Sequence, residues 1–109
     1  MAVHPKITKF TRQEIDQFWK IAHRVLMHDG FTLLNAPAQQ DFGRILIIIP
    51  KKIGNAPIRN KIRRQLKAIF LEKKIFQNQF DWAIIIKKPI RQLSFNELKN
   101  ILNNVMRTE

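Results

Sequence analysis

The segment Lys51–Lys74, KKIGNAPIRNKIRRQLKAIFLEKK, fits one kind of structure. Gly54-Asn55 reads as a turn, and Pro57 falls in a first helical turn, where its missing N–H costs nothing. At 100° per residue Ile58, Ile62, Leu66 and Ile69 share one face. Asn60, Arg63, Arg64 and Lys67 lie on the opposite face, with Arg59 and Lys61 on its flanks. The helix is predicted over Pro57–Lys74, roughly 27 Å at 1.5 Å per residue. Its apolar stripe needs a layer to be buried against, and β-branched runs stand on both sides of it. Gly43–Ile49 (GRILIII), ended by Pro50, reads as a central strand covered on at least one face. Asp81–Lys87 (DWAIIIK), closed by Pro89, reads as another buried strand.

Two capping boxes bracket the rest of the chain. Thr11–Glu14 (TRQE) starts a first helix whose stripe is Ile15, Phe18, Trp19, Ala22 and, if the helix runs on, Val25. Ser94–Glu97 (SFNE) starts a last helix with the stripe Phe95, Leu98, Ile101, Leu102 and Val105. Asp29-Gly30 ends the first region, Phe31–Leu34 is a short strand, and Asn35–Phe42 reads as a loop. A further strand around Val25–Met27 is indistinguishable from an extension of the first helix. The order is helix, strand, strand, helix, strand, helix, plus that one extra strand. This is an α/β two-layer sandwich in a single domain, 1–109, with the helices mainly on one side of the sheet.

The charge points to an anionic partner. Lys51–Lys74 holds nine Lys/Arg and one Glu, a net of +8 out of the chain's +12. Nucleic acid suits a pI near 10.8 better than a membrane surface, because basic residues also lie outside any one amphipathic helix. The longest apolar run, Ile45–Pro50, is far too short to span a bilayer, and MAVHPKITKF lacks the apolar core of a signal peptide. The absence of cysteine excludes disulfides and thiolate metal sites and fits a reducing, cytoplasmic setting.

Catalytic constellations are missing. His4, His23 and His28 stand in no metal-binding spacing and read as exposed polar residues. The eight carboxylates are scattered, and no P-loop, GxSxG or dinucleotide fingerprint is present. The expectation is therefore no catalytic and no metal-ligating residue in the protein itself. On the basic helix, Arg59, Arg63 and Lys67 are spaced four apart, as are Asn60 and Arg64. Such a ladder repels itself unless something anionic meets it. Guanidinium groups match phosphate with paired hydrogen bonds, and Asn60 adds a donor and an acceptor for a base edge or a 2′-OH. Phe18, Trp19, Phe31, Phe95 and Trp82 read as core residues or as stacking platforms for unpaired bases.

The block KKIGNAPIRNKIRRQLKAIF resembles the signature of the protein subunit of bacterial ribonuclease P, and DWAIIIKKPIRQLSFNEL is similar to that family's strand, Lys-Pro and last helix. The resemblance spans nearly the whole chain and is weakest over the first twenty residues. It implies an α-β-β-β-α-β-α fold with a small mixed sheet and a left-handed βαβ crossover, against the usual right-handed rule. It implies an endoribonuclease subunit that binds the catalytic ribonuclease P RNA and the 5′ leader of precursor tRNA, while the RNA carries the active site and the Mg²⁺ ions. Carried over by position, Lys51, Lys52, Arg59, Asn60, Lys61, Arg63, Arg64 and Lys67 would contact RNA. Ile15, Trp19, Phe31, Leu34, Leu46 and Ile48 would line the leader groove. The groove departs from the family pattern. Leu46 stands where Gly is common, Ile48 and Pro50 stand where small polar residues are common, and Trp19 is the one aromatic among Ile15, Trp19 and Leu34. Ile45, Ile47 and Ile49 would face the helices, and Leu46 and Ile48 the other side. Two other readings remain: a general structural RNA-binding protein with no ribozyme partner, and a stand-alone nuclease.

Overall fold

A computed structural model of the chain describes residues 6–106, so His4 lies outside it. The elements are α1 (Arg12–Ile21), β1 (His23–Met27), β2 (Phe31–Pro37), β3 (Ile45–Ile48), α2 (Ala56–Glu72), β4 (Phe80–Ile86) and α3 (Phe95–Met106). The open choice at Val25–Met27 is thus a strand. β1 is exposed along most of its length and shifts register between Arg24 and Leu26, which blurs the alternation that would mark it. The sheet order is β1-β2-β4-β3, antiparallel except for the β3–β4 pair, which is parallel and joined through α2.

Two expectations are corrected. β3 is an edge strand, not a central one; β4 holds the centre. β3 is rich in isoleucine because both its faces are partly covered, not because it has two strand neighbours. β2 runs on through Asn35–Pro37, pairing as far as Pro37 with Phe80, so the expected loop is shorter. Pro37 is tolerated as the strand's last residue. As expected, the helices lie mainly on one side: α2 and α3 cover one face of the sheet and α1 the other. Ile45, Ile49, Leu33, Trp82, Ile84 and Ile86 pack with Ile62, Leu66, Ile69 and Phe70 of α2 and with Leu98, Leu102 and Met106 of α3. On the reverse face Phe18 of α1 packs with Ala36 and Ala83, joined by Ala22, Leu34 and Leu46. The expected alternation along β3 holds: Ile45, Ile47 and Ile49 face α2, and Leu46 faces α1.

The helix termini form as the caps require. The Thr11 hydroxyl accepts from the Glu14 N–H at 3.1 Å, and the Thr11 N–H donates to Glu14 Oε1 at 2.8 Å. Asn55 caps α2 by accepting from the Ile58 N–H at 3.2 Å. Gly43 leads into β3 where a Cβ would collide with the Phe80 carbonyl oxygen and lie 2.9 Å from that of Asn78, so only glycine lets the two backbones approach.

Candidate RNA interface

α2 presents its charges as the periodicity requires. Ile62, Leu66, Ile69 and Phe70 are buried, and Asn60, Lys61, Arg64 and Lys67 are exposed. Arg59 is half-buried on its flank, and Arg63, expected on the face opposite the apolar stripe, is half-buried as well. Arg63 Nη1 donates to Asn60 Oδ1 at 3.1 Å, which uses the amide's carbonyl and leaves its NH₂ to donate outward. Lys51 and Lys52 are exposed on a short 3-10 turn, Lys51–Ile53, just before the capped N-terminus of α2. None of the ion pairs among the described residues draws on these cations; Glu72, the helix's one acid, pairs with Lys99 at 3.5 Å. Arg63 and Lys67 also border a cleft beside Thr8, Ile45 and Leu46, so the cationic face reaches the open edge of β3.

The groove residues fall on the reverse face, with one exception. Leu34, Leu46 and Ile48 are half-buried there, and register places Ala83 between Leu34 and Leu46, and Ile85 between Thr32 and Ile48. Ile15 and Trp19 flank Phe18 on α1; Trp19 is 40% exposed and meets the Phe18 ring edge-on at 5.3 Å. Phe31 is not part of this face. It is fully buried among Leu33, Ile84 and Ile86 on the side of α2 and α3, because residues 31 and 34 of one strand, an odd number apart, point to opposite faces. Ile85 is a floor residue that sequence reasoning missed; its place opposite Ile48 depends on the β3–β4 register.

Also missed was the device that fixes α1 against the sheet. Arg44 and Asp81 are both fully buried. Arg44 Nη2 donates to Asp81 Oδ2 at 3.3 Å, and Nη1 donates to Glu14 Oε1 at 2.9 Å and to the Lys9 carbonyl at 2.8 Å. The Phe10 ring lies 4.1 Å from the guanidinium carbon. Asp81 also accepts from the backbone N–H of Arg44 and of Gln39. A lone arginine inside the apolar run GRILIII was the available signal, since a buried charge must find partners.

The Thr11 backbone N–H, and then Arg44, hold the Glu14 carboxyl below its ordinary value of 4.5. A depressed folded-state pKa stabilises above the unfolded value and is lost as pH falls through the folded one. The gap in stability between the native chain and Glu14→Gln should therefore be full at neutral pH and shrink below about pH 4.5. Urea unfolding of both proteins between pH 7 and pH 3 measures it, and a pH-independent gap would refute the assignment.

His23 is exposed on β1, as expected. His28 is not: it is half-buried, its Nδ1 accepts from the Gly30 N–H at 2.9 Å, and its ring stacks on Phe31 at 4.9 Å, so it shapes the β1–β2 turn. Among the described residues no three His, Asp or Glu side chains come together to hold a metal ion. No helix there is long and apolar enough to cross a membrane.

Comparison with known proteins agrees with this layout. A Bacillus pumilus ribonuclease P protein component is 38% identical over 76 residues, 68% of this chain, which thus spans 62% of that relative's length. The ribonuclease P protein of Thermotoga maritima superposes with a TM-score of 0.75 at 25% identity, covering 94% of this chain and 97% of that one. That of Staphylococcus aureus gives 0.79 at 23% identity, covering 94% of each. The family model described as Ribonuclease P matches residues 8–109, and the chain therefore belongs to the ribonuclease P protein family.

Proposed function

We infer that the chain is the non-catalytic protein subunit of a ribonuclease P, working in the cytoplasm to help a catalytic RNA remove the 5′ leader of precursor tRNA. The observation that carries this reading is the cationic face of α2, packed on the sheet by its apolar stripe, with no carboxylate paired to that face among the described residues. In this reading Lys51, Lys52, Arg59, Asn60, Lys61, Arg63, Arg64 and Lys67 neutralise phosphates of the folded RNA. In this reading the Mg²⁺ ions of the reaction are bound mainly by the catalytic RNA, and none is assigned to the protein. The leader lies on the reverse face, against Ile15, Trp19, Leu34, Leu46 and Ile48. That floor is aliphatic, so leader binding rests on apolar packing and on stacking against Trp19.

Precursor-tRNA cleavage by a bacterial ribonuclease P RNA at low Mg²⁺, with and without the protein, tests the reading. Strong stimulation, with no cutting by the protein alone, is expected. Tight RNA binding without stimulation would instead support a general structural RNA-binding protein. For the groove, Trp19→Ala should weaken precursor binding by about 1–3 kcal/mol, the usual worth of one stacked base, and leave mature tRNA unaffected. Equal losses on both would remove Trp19 from the leader path.

A further inference from the structure

A second candidate site lies on the opposite face of the sheet from the groove. A short 3-10 turn, Lys88–Gln92, carries the chain from β4 to α3 and stands away from the first turns of α2. The gap is a cleft of about 420 Å³ whose lining includes Ile58, Lys61, Gln65, Arg91, Leu93 and Phe95. A depression of about 450 Å³ adjoins it, shares Lys61, Gln65 and Phe95, and adds Arg64. Both volumes fall within the roughly 300–1,000 Å³ of small-molecule sites.

The lining is sorted by chemistry. Aliphatic side chains make the floor. Phe95 is half-buried at the wall, fixed at the start of α3 by the second capping box: the Ser94 N–H donates to Glu97 Oε1 at 2.9 Å and the Glu97 N–H to Ser94 Oγ at 3.1 Å. Lys99 Nζ lies 5.3 Å from the Phe95 ring centroid. Gln65, also half-buried, offers an amide donor and acceptor. Lys61, Arg64 and Arg91 are exposed at the rim, and among the described residues no acidic side chain lines either cleft.

We propose that this cleft receives one unpaired nucleotide of the bound RNA, its base against Phe95, its edge on the Gln65 amide and its phosphates on Lys61, Arg64 and Arg91. The proposal rests on the RNA-binding reading and deepens it. Charge complementarity selects the occupant: three cations without a carboxylate suit a phosphodiester chain. An aromatic wall with one amide suits a base that has left its stack. A fully paired helix offers phosphates to the rim and nothing to the cleft. The cleft would thus make the cationic face of α2 discriminate between RNAs of equal charge.

The test compares two RNA hairpins with the same number of phosphates, one stem fully paired apart from its loop and one carrying a single bulged nucleotide. The native chain should bind the bulged hairpin about tenfold more tightly, in line with the worth of one stacked base. Phe95→Leu, which keeps apolar bulk against the core, and Gln65→Met should each remove most of that preference while leaving the paired stem's affinity in place. A preference that survives both substitutions overturns the proposal. Loss of binding to both hairpins in the native chain would instead strike at the RNA-binding reading itself.

A second measurement does not depend on variants. Methyl NMR of the native chain is followed on titration with adenosine 5′-monophosphate and, separately, with ribose 5-phosphate. Ring-current shifts at the methyls of Ile58, Leu93 and Leu98 with the nucleotide alone are expected. Identical shifts with both, or shifts confined to the Trp19 face, would show that no base enters the cleft.

Discussion

Arg44→Met should lower the stability of this protein by about 3–5 kcal/mol, the usual result of removing one partner from a buried ion pair. In a domain of this size that is a drop on the order of 15–30 °C in melting temperature. Methionine fills similar space, so the loss comes from charge and hydrogen bonding more than from a cavity. Asp81 would remain fully buried with its carboxylate facing no cation, and the Lys9 carbonyl and Glu14 would each lose a donor. Adding Asp81→Asn should recover part of the loss. The asparagine oxygen still accepts from the Arg44 backbone N–H, now 3.0 Å from Asp81 Oδ1, and no buried charge is left over. Calorimetric melting of the two single variants and the double variant reads the coupling directly. A melting point for Arg44→Met within a few degrees of the native one would mean that the network contributes little.

The second large effect concerns RNA. Replacing Arg63, Arg64 and Lys67 together by alanine should cut affinity for a structured RNA on the order of a hundredfold at 0.1 M salt. The slope of log K against log salt should fall by about two to three units, at 0.7–0.9 per phosphate contact. Folding should not suffer, since alanine is the better helix former and removal of like charges three and four residues apart relieves repulsion. The same variant should therefore melt no lower than the native chain while binding far less RNA. Filter binding across a salt series separates the outcomes: unchanged slope with reduced affinity would place the phosphate contacts elsewhere on the surface.

Much of this architecture is legible in the chain. Both capping boxes form, and α2 begins and ends within two residues of the predicted span. Those signals are local, carried by side chains three or four positions from the groups they bond. What could not be read is long-range. Arg44 finds Glu14 and Asp81 across 30 and 37 residues, and nothing in the spacing of three lone charges announces that they meet. The edge position of β3 was hidden for a related reason. A run of isoleucines reports that a strand is covered on its faces, and is silent about which strands stand beside it. Phe31 is different, because its face followed from simple alternation with Leu34, and grouping both in one groove set that rule aside. The second helix-bearing face of the sheet was likewise implicit in Leu46 and Ala83, two apolar residues pointing away from α2 that needed their own cover.

The place of β4 between β2 and β3 has a consequence for how the protein is made. Synthesis runs from the N-terminus, so three strands and the long basic helix leave the ribosome before the one strand that joins them. Until Phe80–Ile86 emerges, β3 has no strand partner and the apolar stripe of α2 has only part of a sheet to rest on. Closure of the sheet therefore waits for this keystone strand to enter between β2 and β3. Polyanions near the ribosome would meet the basic helix before the fold that displays it is complete.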